Sequence, residues 1–185
     1  MTDPSMSIRP AEPRDAAAIA RVHIRTWQVA YRSQLPATYL DGLDTELDQR
    51  TSRWKGFIAD AAFRRWVQLV AQDGDRVFGF VTFGPSGDEP LDPRVGEVYA
   101  IYVDPSSWDR GYGRALFTAA VRGLTDAGFT AGTLWVLDTN GRARRFYQIA
   151  GWVADGAVKT ERRGDIELRE VRYRLASLKE TPARA

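Results

Sequence analysis

The sequence predicts an α/β domain of the α+β type, built around a mixed and mostly antiparallel sheet. Three observations predict this fold class: a short strand followed by helices, an Asp-Gly hairpin signal near the middle of the chain, and a helical segment that joins two strand-like segments. At 185 residues, 44% of them apolar, the chain can form one domain with a sizeable core. We expect that domain over residues 1–185, with its core over 7–176 and a disordered tail over 179–185.

The first half of the chain is expected to form a short strand and two or three helices. Residues 7–9 are predicted as the strand, and the segment after Pro13 carries apolar residues at helical spacing. Pro36 ends that helix, a helical turn is expected around residues 39–43, and another helix over 45–60. The apolar stripes of the two long helices are Ile19, Val22, His23, Trp27, Ala30 and Tyr31, and then Leu47, Trp54, Phe57 and Ile58.

A hairpin is expected to follow these helices. Residues 66–71 and 77–83 are predicted as strands on either side of Asp73-Gly74, because Asp-Gly between apolar runs favours a tight hairpin turn. A loop rich in Pro, Gly and Asp is expected over 84–96, and a further strand over 97–103.

A strand–helix–strand unit comes next and predicts one parallel pair of strands. Its helix is expected to begin at Gly111 and to be capped by Gly128, and the strand after it covers residues 133–137. Such a connection is parallel and right-handed. The last elements are a short helix and two strands, expected over 142–150, from Trp152, and over 166–175.

Composition and charge exclude several classes of site. The absence of cysteine excludes disulfides and thiolate chemistry, and the lone His23 cannot form a multi-histidine site, so no metal is expected. With 26 basic and 24 acidic residues the net charge is only +2, and no run of like charges indicates a nucleic-acid partner. Because no long apolar run or signal segment is present, we expect a cytoplasmic protein without a membrane partner.

The segment WDRGYGR, residues 108–114, carries the most information about function. It lies between an apolar strand closed by Asp104-Pro105 and a predicted helix, where N–H groups and the helix dipole favour an anion. Two familiar phosphate loops do not fit. A P-loop needs a lysine and a hydroxyl that are missing here, and the dinucleotide motif needs a glycine where the chain has Leu116. The segment therefore predicts a phosphate site of another kind.

This segment and a second block, NGRARRFYQIAGW over 140–152, resemble the motifs of the GCN5-related N-acetyltransferase (GNAT) superfamily. In the family motif Q/R-x-x-G-x-G/A, Gly111 and Gly113 match, while Trp108 stands where Gln or Arg is usual. In the motif N-x-x-A-x-x-F/L-Y-x-x-x-G-F, Asn140 and Tyr147 match at the required separation, with a Trp in place of the last Phe. The resemblance covers residues 7–175, and its N-terminal part is similar to a branch of uncharacterised bacterial acetyltransferases.

The resemblance implies a sheet of six or seven strands, splayed between its two parallel strands and flanked by four or five helices. It implies acetyl-CoA as the cofactor, and transfer of the acetyl group to a primary amine of a small molecule or peptide by direct attack in a ternary complex. The alternative is an acyl-CoA-binding sensor or accessory domain without turnover. The same resemblance allows a homodimer.

The resemblance also assigns residues to the cofactor. Free backbone groups of Ile101 and Val103 would pair with the pantetheine arm, and N–H groups of the loop would hold the diphosphate. Arg114, together with Arg110 or Arg144, would add positive charge near the phosphates. The full set of expected cofactor residues is Ile101, Tyr102, Val103, Trp108, Asp109, Arg110, Gly111, Tyr112, Gly113, Arg114, Ala115, Asn140, Ala143, Arg144, Phe146 and Tyr147.

Two residues are expected to move protons. Tyr147 is the candidate acid for the departing thiolate, with simple aromatic packing as the alternative. Glu97 is the candidate base, and the alternatives are a solvated or arginine-paired carboxylate, or a water network in place of a single base. Asn140 is expected to contact the cofactor or to cap the helix that follows it, and both can hold together.

The acceptor side is less well determined by the sequence. Trp27, Tyr31 and Tyr99 are the candidate acceptor residues, whereas His23 on an apolar stripe is more typical of a satisfied core histidine. The first two helices and the loops over 84–96 and 155–164 are expected to frame the acceptor. Three acidic residues of the first loop would either attract a cationic amine or simply be solvated, namely Asp88, Glu89 and Asp92.

Overall fold

The computed structural model describes residues 6–61, 63, 65–163 and 165–180, so residues 181–185 of the predicted disordered tail lie outside the described part. The strands are β1 (Met6–Pro10), β2 (Val67–Asp73), β3 (Arg76–Pro85), β4 (Val95–Val103), β5 (Ala131–Leu137), β6 (Val153–Arg163) and β7 (Ile166–Leu175). The α-helices are α1 (Ala16–Ala30), α2 (Ala37–Gly42), α3 (Leu47–Asp60), α4 (Tyr112–Asp126) and α5 (Gly141–Ile149). The strands form one sheet in the order β1-β2-β3-β4-β5-β7-β6.

The predicted fold class is confirmed. Strands β4 and β5 are parallel, with a register from Val95↔Ala131 to Val98↔Leu134. The pairs β1–β2, β2–β3, β5–β7 and β6–β7 are antiparallel. Beyond Val98, β4 continues to Val103 past the end of this register, as the predicted splay requires. None of the described helices is long and apolar enough to cross a membrane.

The contacts divide the chain into two compact units, each with its own core. The first unit contains the chain up to Phe83 together with Ala100–Ala120, and the second contains Gly84–Tyr99 and the chain from Val121. In the first unit, α1 packs on β2 and β3 through a cluster of Ile19, Val22, Val70 and Phe80. In the second, the fully buried side chains include Leu124, Leu134, Trp152 and Tyr173. A single domain over residues 1–185 stays a prediction.

The β2–β3 hairpin is confirmed, with its turn one residue later than predicted. Asp73 pairs with Arg76, so the two-residue turn is Gly74-Asp75. Gly74 has a φ of +53°, a backbone conformation that glycine adopts at little cost. The side chain of Asp73 therefore belongs to the strand and not to the turn.

The β3–β4 loop, residues 86–94, is shorter than the predicted loop over 84–96. The N–H of Ser86 still donates to the carbonyl of Val95 at 3.0 Å, so both strands extend further than their apolar runs indicate. The loop therefore begins one residue after the end of β3, and its first side chains stay close to the sheet.

The predicted loop over 155–164 is wrong, because β6 occupies residues 153–163 and pairs with β7. An Asp-Gly pair at 155–156 is typical of a turn, but here it lies in a register irregularity between Ala154 and Val158. Gly156 has a φ of +90°, which allows the extra residues to leave the ladder and the strand to resume.

Candidate functional site

The end of β4 in the first unit is tied to the segment that follows it. Asp104 is buried and accepts hydrogen bonds from the backbone N–H of Ser106 at 3.0 Å and from its hydroxyl at 2.6 Å. Arg25 adds an ion pair to the same carboxylate at 3.1 Å. The Trp108 indole then donates to the carbonyl of Val103 at 2.7 Å. The chain after β4 is therefore folded back onto the end of the strand.

The phosphate loop, residues 108–113, has a backbone that suits an anion. Asp109 and Gly111 have φ values of +60° and +81°, which turn the chain sharply before α4. The N–H of Ala115 donates to the carbonyl of Gly111 at 3.0 Å, so the N–H groups just before it belong to the first helical turn and lack intrahelical acceptors. Such a helix start attracts phosphate.

Gly113 shows that the loop has room for a ligand. A Cβ atom built at this position would meet only the Val103 side chain, at 3.9 Å, which is an ordinary van der Waals distance. Packing within the protein therefore does not demand glycine at 113, whereas close approach of a phosphate to the backbone would. Arg110 and Arg114 are exposed on the same segment and add positive charge. The loop thus fits the diphosphate of a coenzyme A derivative.

Strand β4 lies against helix α4 within each unit. A Cβ atom at Gly96 would lie 2.5 Å from the Leu124 side chain of α4 in the second unit. In the first unit, Val103 lies against Gly113 of the same helix, at the start of α4 where the phosphate loop ends.

The pantetheine role expected for the backbone of Val103 needs a free carbonyl, and the carbonyl of Val103 is not free. It accepts the Trp108 indole at 2.7 Å and the Thr26 hydroxyl at 3.1 Å, which engages both of its lone pairs. Any role of Val103 toward pantetheine must therefore use its N–H group. Trp108, the departure from the family motif, acts on the shape of the loop through this bond.

Two of the candidate acceptor residues lie in an aromatic cluster of the first unit. Trp27 and Tyr31 are 5% and 6% exposed, and their ring centroids are 4.9 Å apart. The Trp27 indole donates to the Tyr102 hydroxyl at 3.2 Å, so the Tyr102 side chain faces α1. This burial fits core packing, and contact of Trp27 or Tyr31 with an acceptor stays a prediction.

His23 is satisfied within the same cluster. Its Nδ1 lies 3.3 Å from the guanidinium of Arg50, which is itself held by Glu46 at 2.9 Å. A guanidinium only donates hydrogen bonds, so Nδ1 accepts and the neutral ring carries its proton on Nε2. The His23 ring also lies 4.7 Å from that of Tyr102. These contacts match the core histidine that the sequence indicates.

Glu97, the candidate base, is almost fully buried in the second unit, with 6% of its surface exposed. Its Oε2 accepts hydrogen bonds from the Ser86 hydroxyl at 3.2 Å and from the N–H of Gly87 at 3.3 Å. Burial raises the pKa of Glu97, and the charge of Asp88 raises it further, while the two hydrogen bonds and Lys159 oppose the rise. A carboxyl group in this state can take up a proton nearer to neutral pH than an exposed one.

Two acidic residues of the β3–β4 loop, Asp88 and Asp92, have cationic partners. Asp88 accepts the Trp135 indole at 2.9 Å and Arg172 at 3.0 Å. Asp92 accepts three hydrogen bonds from Arg94, which lower its pKa to about 2. Asp92 and its partner Arg94 remain accessible to solvent, as predicted for a solvated loop, whereas Asp88 is engaged by Trp135 and Arg172.

Helix α5 of the second unit carries the second family block. The Asn140 side chain accepts the N–H of Ala143 at 3.0 Å, so the helix cap expected there is present. Tyr147 is buried, with its ring 6.1 Å from that of Tyr173. Arg144 donates to the Tyr173 hydroxyl at 3.3 Å and to the carbonyl of Asp138 at 2.8 Å. Arg144 is therefore engaged inside its own unit.

The predicted residues fall into two groups. The first unit brings together residues 101–103 and 108–115 with Trp27 and Tyr31, and the second holds Glu97, Tyr99 and the α5 residues. The Tyr99 hydroxyl donates to the carbonyl of Pro85. Sequence reasoning missed the polar network that leads to Glu97, because no spacing rule connects its members. Ser86 bonds to Glu97 and lies near Thr133, and Asp88 bonds to Trp135 and Arg172.

The chain is similar to known acetyltransferases in sequence and in fold. Residues 24–152 match the acetyltransferase (GNAT) family. The chain is 34% identical over 138 residues to the uncharacterized N-acetyltransferase YuaI of Bacillus subtilis (strain 168), with 73% of each chain covered. It is 26% identical to the probable N-acetyltransferase Rv2775 of Mycobacterium tuberculosis, with 95% of this chain and 96% of that one covered. The solved structure of YncA, a putative acetyltransferase from Salmonella typhimurium with its cofactor acetyl-CoA, shares its fold at a TM-score of 0.66 and 19% identity, with 98% of both chains covered.

Proposed function

The chain belongs to the acetyltransferase (GNAT) family, and we propose that it transfers the acetyl group of acetyl-CoA to a primary amine of a small molecule or peptide by direct attack in a ternary complex. Membership of this family makes the chain an acetyl-CoA-dependent N-acetyltransferase. The observation that carries the proposal is the phosphate loop, with its two positive φ angles at a helix start that has room at Gly113.

The phosphate loop is proposed to hold the diphosphate of acetyl-CoA. The N–H groups at the start of α4 supply donors, and Gly111 and Gly113 let phosphate oxygens approach them. Arg110 and Arg114, both exposed, add positive charge. Bound acetyl-CoA supplies an acetyl group that its thioester bond has already activated. Arg144 is left out of the phosphate contacts, because its guanidinium is engaged by Asp138 and Tyr173.

Glu97 is proposed to accept the proton that the acceptor amine must lose. An ammonium group has no free electron pair, so the amine becomes a nucleophile only after deprotonation. Burial raises the pKa of Glu97 toward the range in which it can exchange that proton. Hydrogen bonds from Ser86 and Gly87 fix one of its oxygens. Trp27, Tyr31 and Tyr99 are proposed to contact the acceptor.

Tyr147 is proposed to protonate the sulfur of coenzyme A as it leaves. We expect Tyr147→Phe to lower kcat, because the variant keeps the ring and loses the phenolic proton. Tyr173→Phe is the matched control, since it removes another hydroxyl from a buried tyrosine of the same unit. Thiol release measured against pH distinguishes the two. An unchanged rate and pH profile for Tyr147→Phe would rule Tyr147 out as the acid.

The most direct test of the function is release of coenzyme A thiol with a panel of amines. The panel contains aminoglycosides, polyamines, amino acids and peptide N-termini, and acetyl-CoA affinity is measured separately by calorimetry. We expect binding of acetyl-CoA and turnover with at least one class of amine. Tight binding without turnover on any amine would favour the acyl-CoA sensor instead. The cytoplasmic location and the homodimer stay predictions.

A further inference from the structure

We propose that Ser86 and Asp88, at the start of the β3–β4 loop, are positioning residues that set the charge state of Glu97. Trp135 on β5 and Arg172 on β7 hold Asp88 in place. The inference rests on the proposed function, in which Glu97 accepts the proton of the acceptor amine. It assigns a purpose to a polar network that none of the family motifs contains.

The inner part of the network connects Ser86 directly to Glu97. The Ser86 hydroxyl donates to Oε2 of Glu97 at 3.2 Å, and the next backbone N–H, that of Gly87, donates to the same oxygen at 3.3 Å. The Thr133 hydroxyl, on the neighbouring strand β5, lies 3.4 Å from the Ser86 hydroxyl. The backbone of Ser86 is fixed by its bond to Val95 at 3.0 Å. The Ser86 hydroxyl and the N–H of Gly87 therefore both stabilise the ionised form of Glu97.

The outer part of the network holds the loop against the sheet. The N–H of Asp88 donates to the Ser86 hydroxyl at 3.3 Å, which orients that hydroxyl. The Asp88 carboxylate accepts the Trp135 indole at 2.9 Å and Arg172 at 3.0 Å. Arg172 is held in turn by Asp155 at 2.8 Å. The three consecutive residues of the loop thus have partners on β4, β5 and β7.

Two charged groups act on Glu97 from the elements around it. Asp88 on the loop is a like charge and raises the pKa of Glu97, while Lys159 on β6 is an opposite charge and lowers it. The Lys159 ammonium lies 4.4 Å from the ring centroid of Trp135 and 3.3 Å from Glu170. Arg172 acts less directly, through its contact with Asp88, and Asp155 acts through its contact with Arg172.

The network predicts shifts of opposite sign for two substitutions. Ser86→Ala removes a donor from the ionised carboxylate, so the pKa of Glu97 should rise. Asp88→Asn removes a negative charge near Glu97 and leaves Arg172 paired with Asp155 alone, so the pKa should fall. General loosening of the loop would expose Glu97 to water in both variants and move the two values in the same direction.

The experiment is a carbon-detected NMR titration of the Glu97 carboxyl in the full chain, with its signal assigned from Glu97→Gln. Asp92→Asn is the matched control, because Asp92 lies on the same loop, is paired with Arg94 and has no contact with Glu97 among the described residues. Ser86→Thr keeps a hydroxyl and should retain the wild-type midpoint. If Ser86→Ala or Asp88→Asn does not fold, Ser86→Gly and Asp88→Ser make the same two deletions.

The positioning role would be supported if the Glu97 midpoint moves in opposite directions in Ser86→Ala and Asp88→Asn, each time by more than in the Asp92→Asn control. Movement in the same direction, or none beyond the control, would overturn it. The titration needs no acceptor, so it distinguishes this inference from the proposed function. If the two midpoints shift in opposite directions but the rate of acetyl transfer does not follow the Glu97 midpoint, the positioning role is supported and Glu97 is not the base.

Discussion

Two carboxylates, one in each unit, are exposed to solvent to nearly the same small extent and yet have pKa values shifted in opposite directions. Asp15, between β1 and α1, is 5% exposed, and Glu97 on β4 is 6% exposed. The pKa of Asp15 lies below its ordinary value and that of Glu97 lies above. Low solvent exposure alone therefore does not determine how a carboxyl group titrates in this protein. The balance between burial and the partner groups does, and it indicates which carboxylate can serve as a proton acceptor.

The hydrogen bonds around Asp15 favour its ionised form. Arg9 donates to both of its oxygens, at 2.6 and 2.9 Å, and the backbone N–H of Glu12 donates at 2.8 Å. The hydrogen bond from Arg9 is the largest cause of the lowered pKa, and it outweighs the effect of burial. These bonds fix the chain where it enters α1, so Asp15 stabilises the fold of the first unit.

Glu97 has neutral partners instead. The donors bonded to it within the described part of the chain are the Ser86 hydroxyl and the N–H of Gly87, and burial is the largest cause of its raised pKa. A carboxylate held in this way takes up a proton more readily than an exposed one, which favours a role as general base. The contrast with Asp15 separates a structural carboxylate from one suited to proton transfer.

The largest effect is expected from Glu97→Gln. The amide keeps the size of the side chain and cannot accept a proton, so acetyl transfer at neutral pH should fall by about 10²–10⁴-fold. The free energy of unfolding at neutral pH should not decrease, because a buried charge has been removed. Steady-state kinetics and urea unfolding of the same preparation check both. If Glu97→Gln kept wild-type activity, Glu97 would not be the proton acceptor and its contrast with Asp15 would not hold.

Asp15→Asn should show the reverse pattern, with lower stability and unchanged chemistry. Loss of the charge-assisted bonds to Arg9 should lower the free energy of unfolding by about 1–3 kcal/mol. The rate per folded molecule and its pH profile should stay those of the wild type. Denaturant unfolding and kinetics at several pH values measure these quantities, and a moved pH profile would mean that Asp15 also acts on the reaction.

The stability of the wild type should depend on pH with two opposite contributions. Asp15 stabilises the fold above its ordinary pKa of 3.8, and this contribution is lost as the pH falls through its lower folded value. Protonated Glu97 favours the fold below its ordinary pKa of 4.5, and that contribution is lost as the pH rises through its higher folded value. Because each amide resembles the protonated carboxyl, both variants should follow the wild type most closely in acid and diverge from it as the pH rises, Asp15→Asn toward lower stability and Glu97→Gln toward higher stability.

The smallest effect is expected from Asp92→Asn. Arg94 lowers the pKa of Asp92 to about 2, a shift in the same direction as that of Asp15, but Asp92 lies on an open loop. Ion pairs in such positions contribute little to stability. Thermal unfolding and the pH–rate profile should both match the wild type. A clear loss of stability would show that pairing without burial is enough, and would weaken the contrast drawn from Asp15 and Glu97.

The sequence predicts the parts of the fold that depend on local chemistry. At Gly74 and Gly111 the backbone adopts a positive φ, which glycine favours, so the hairpin and the turn follow from the residue type. At Asn140 the side chain caps the helix that follows, as this residue type often does. Asp-Gly at 155–156 is the exception, since pairing of β6 with β7 turns a turn signal into a strand irregularity. Tertiary pairing overrides the local preference there.

The surroundings of Glu97 could not be predicted in the same way. Ser86 lies eleven positions before Glu97, and Asp88 lies 84 positions before Arg172, so only the folded sheet brings them together. The hydrogen bond between Trp108 and Val103 is only partly predictable from the sequence. The departure from the family motif at Trp108 marks the position, but its effect on the Val103 carbonyl becomes visible only in the structure.

The most direct test of Glu97 as the proton acceptor compares two midpoints in the wild type. One is the acid limb of kcat/KM for the best amine in the panel, and the other is the titration of the Glu97 carboxyl followed by NMR. We predict that the two midpoints coincide, above the ordinary pKa of a glutamate, and that the limb disappears in Glu97→Gln. An acid limb that persists at the same pH in Glu97→Gln would contradict this assignment.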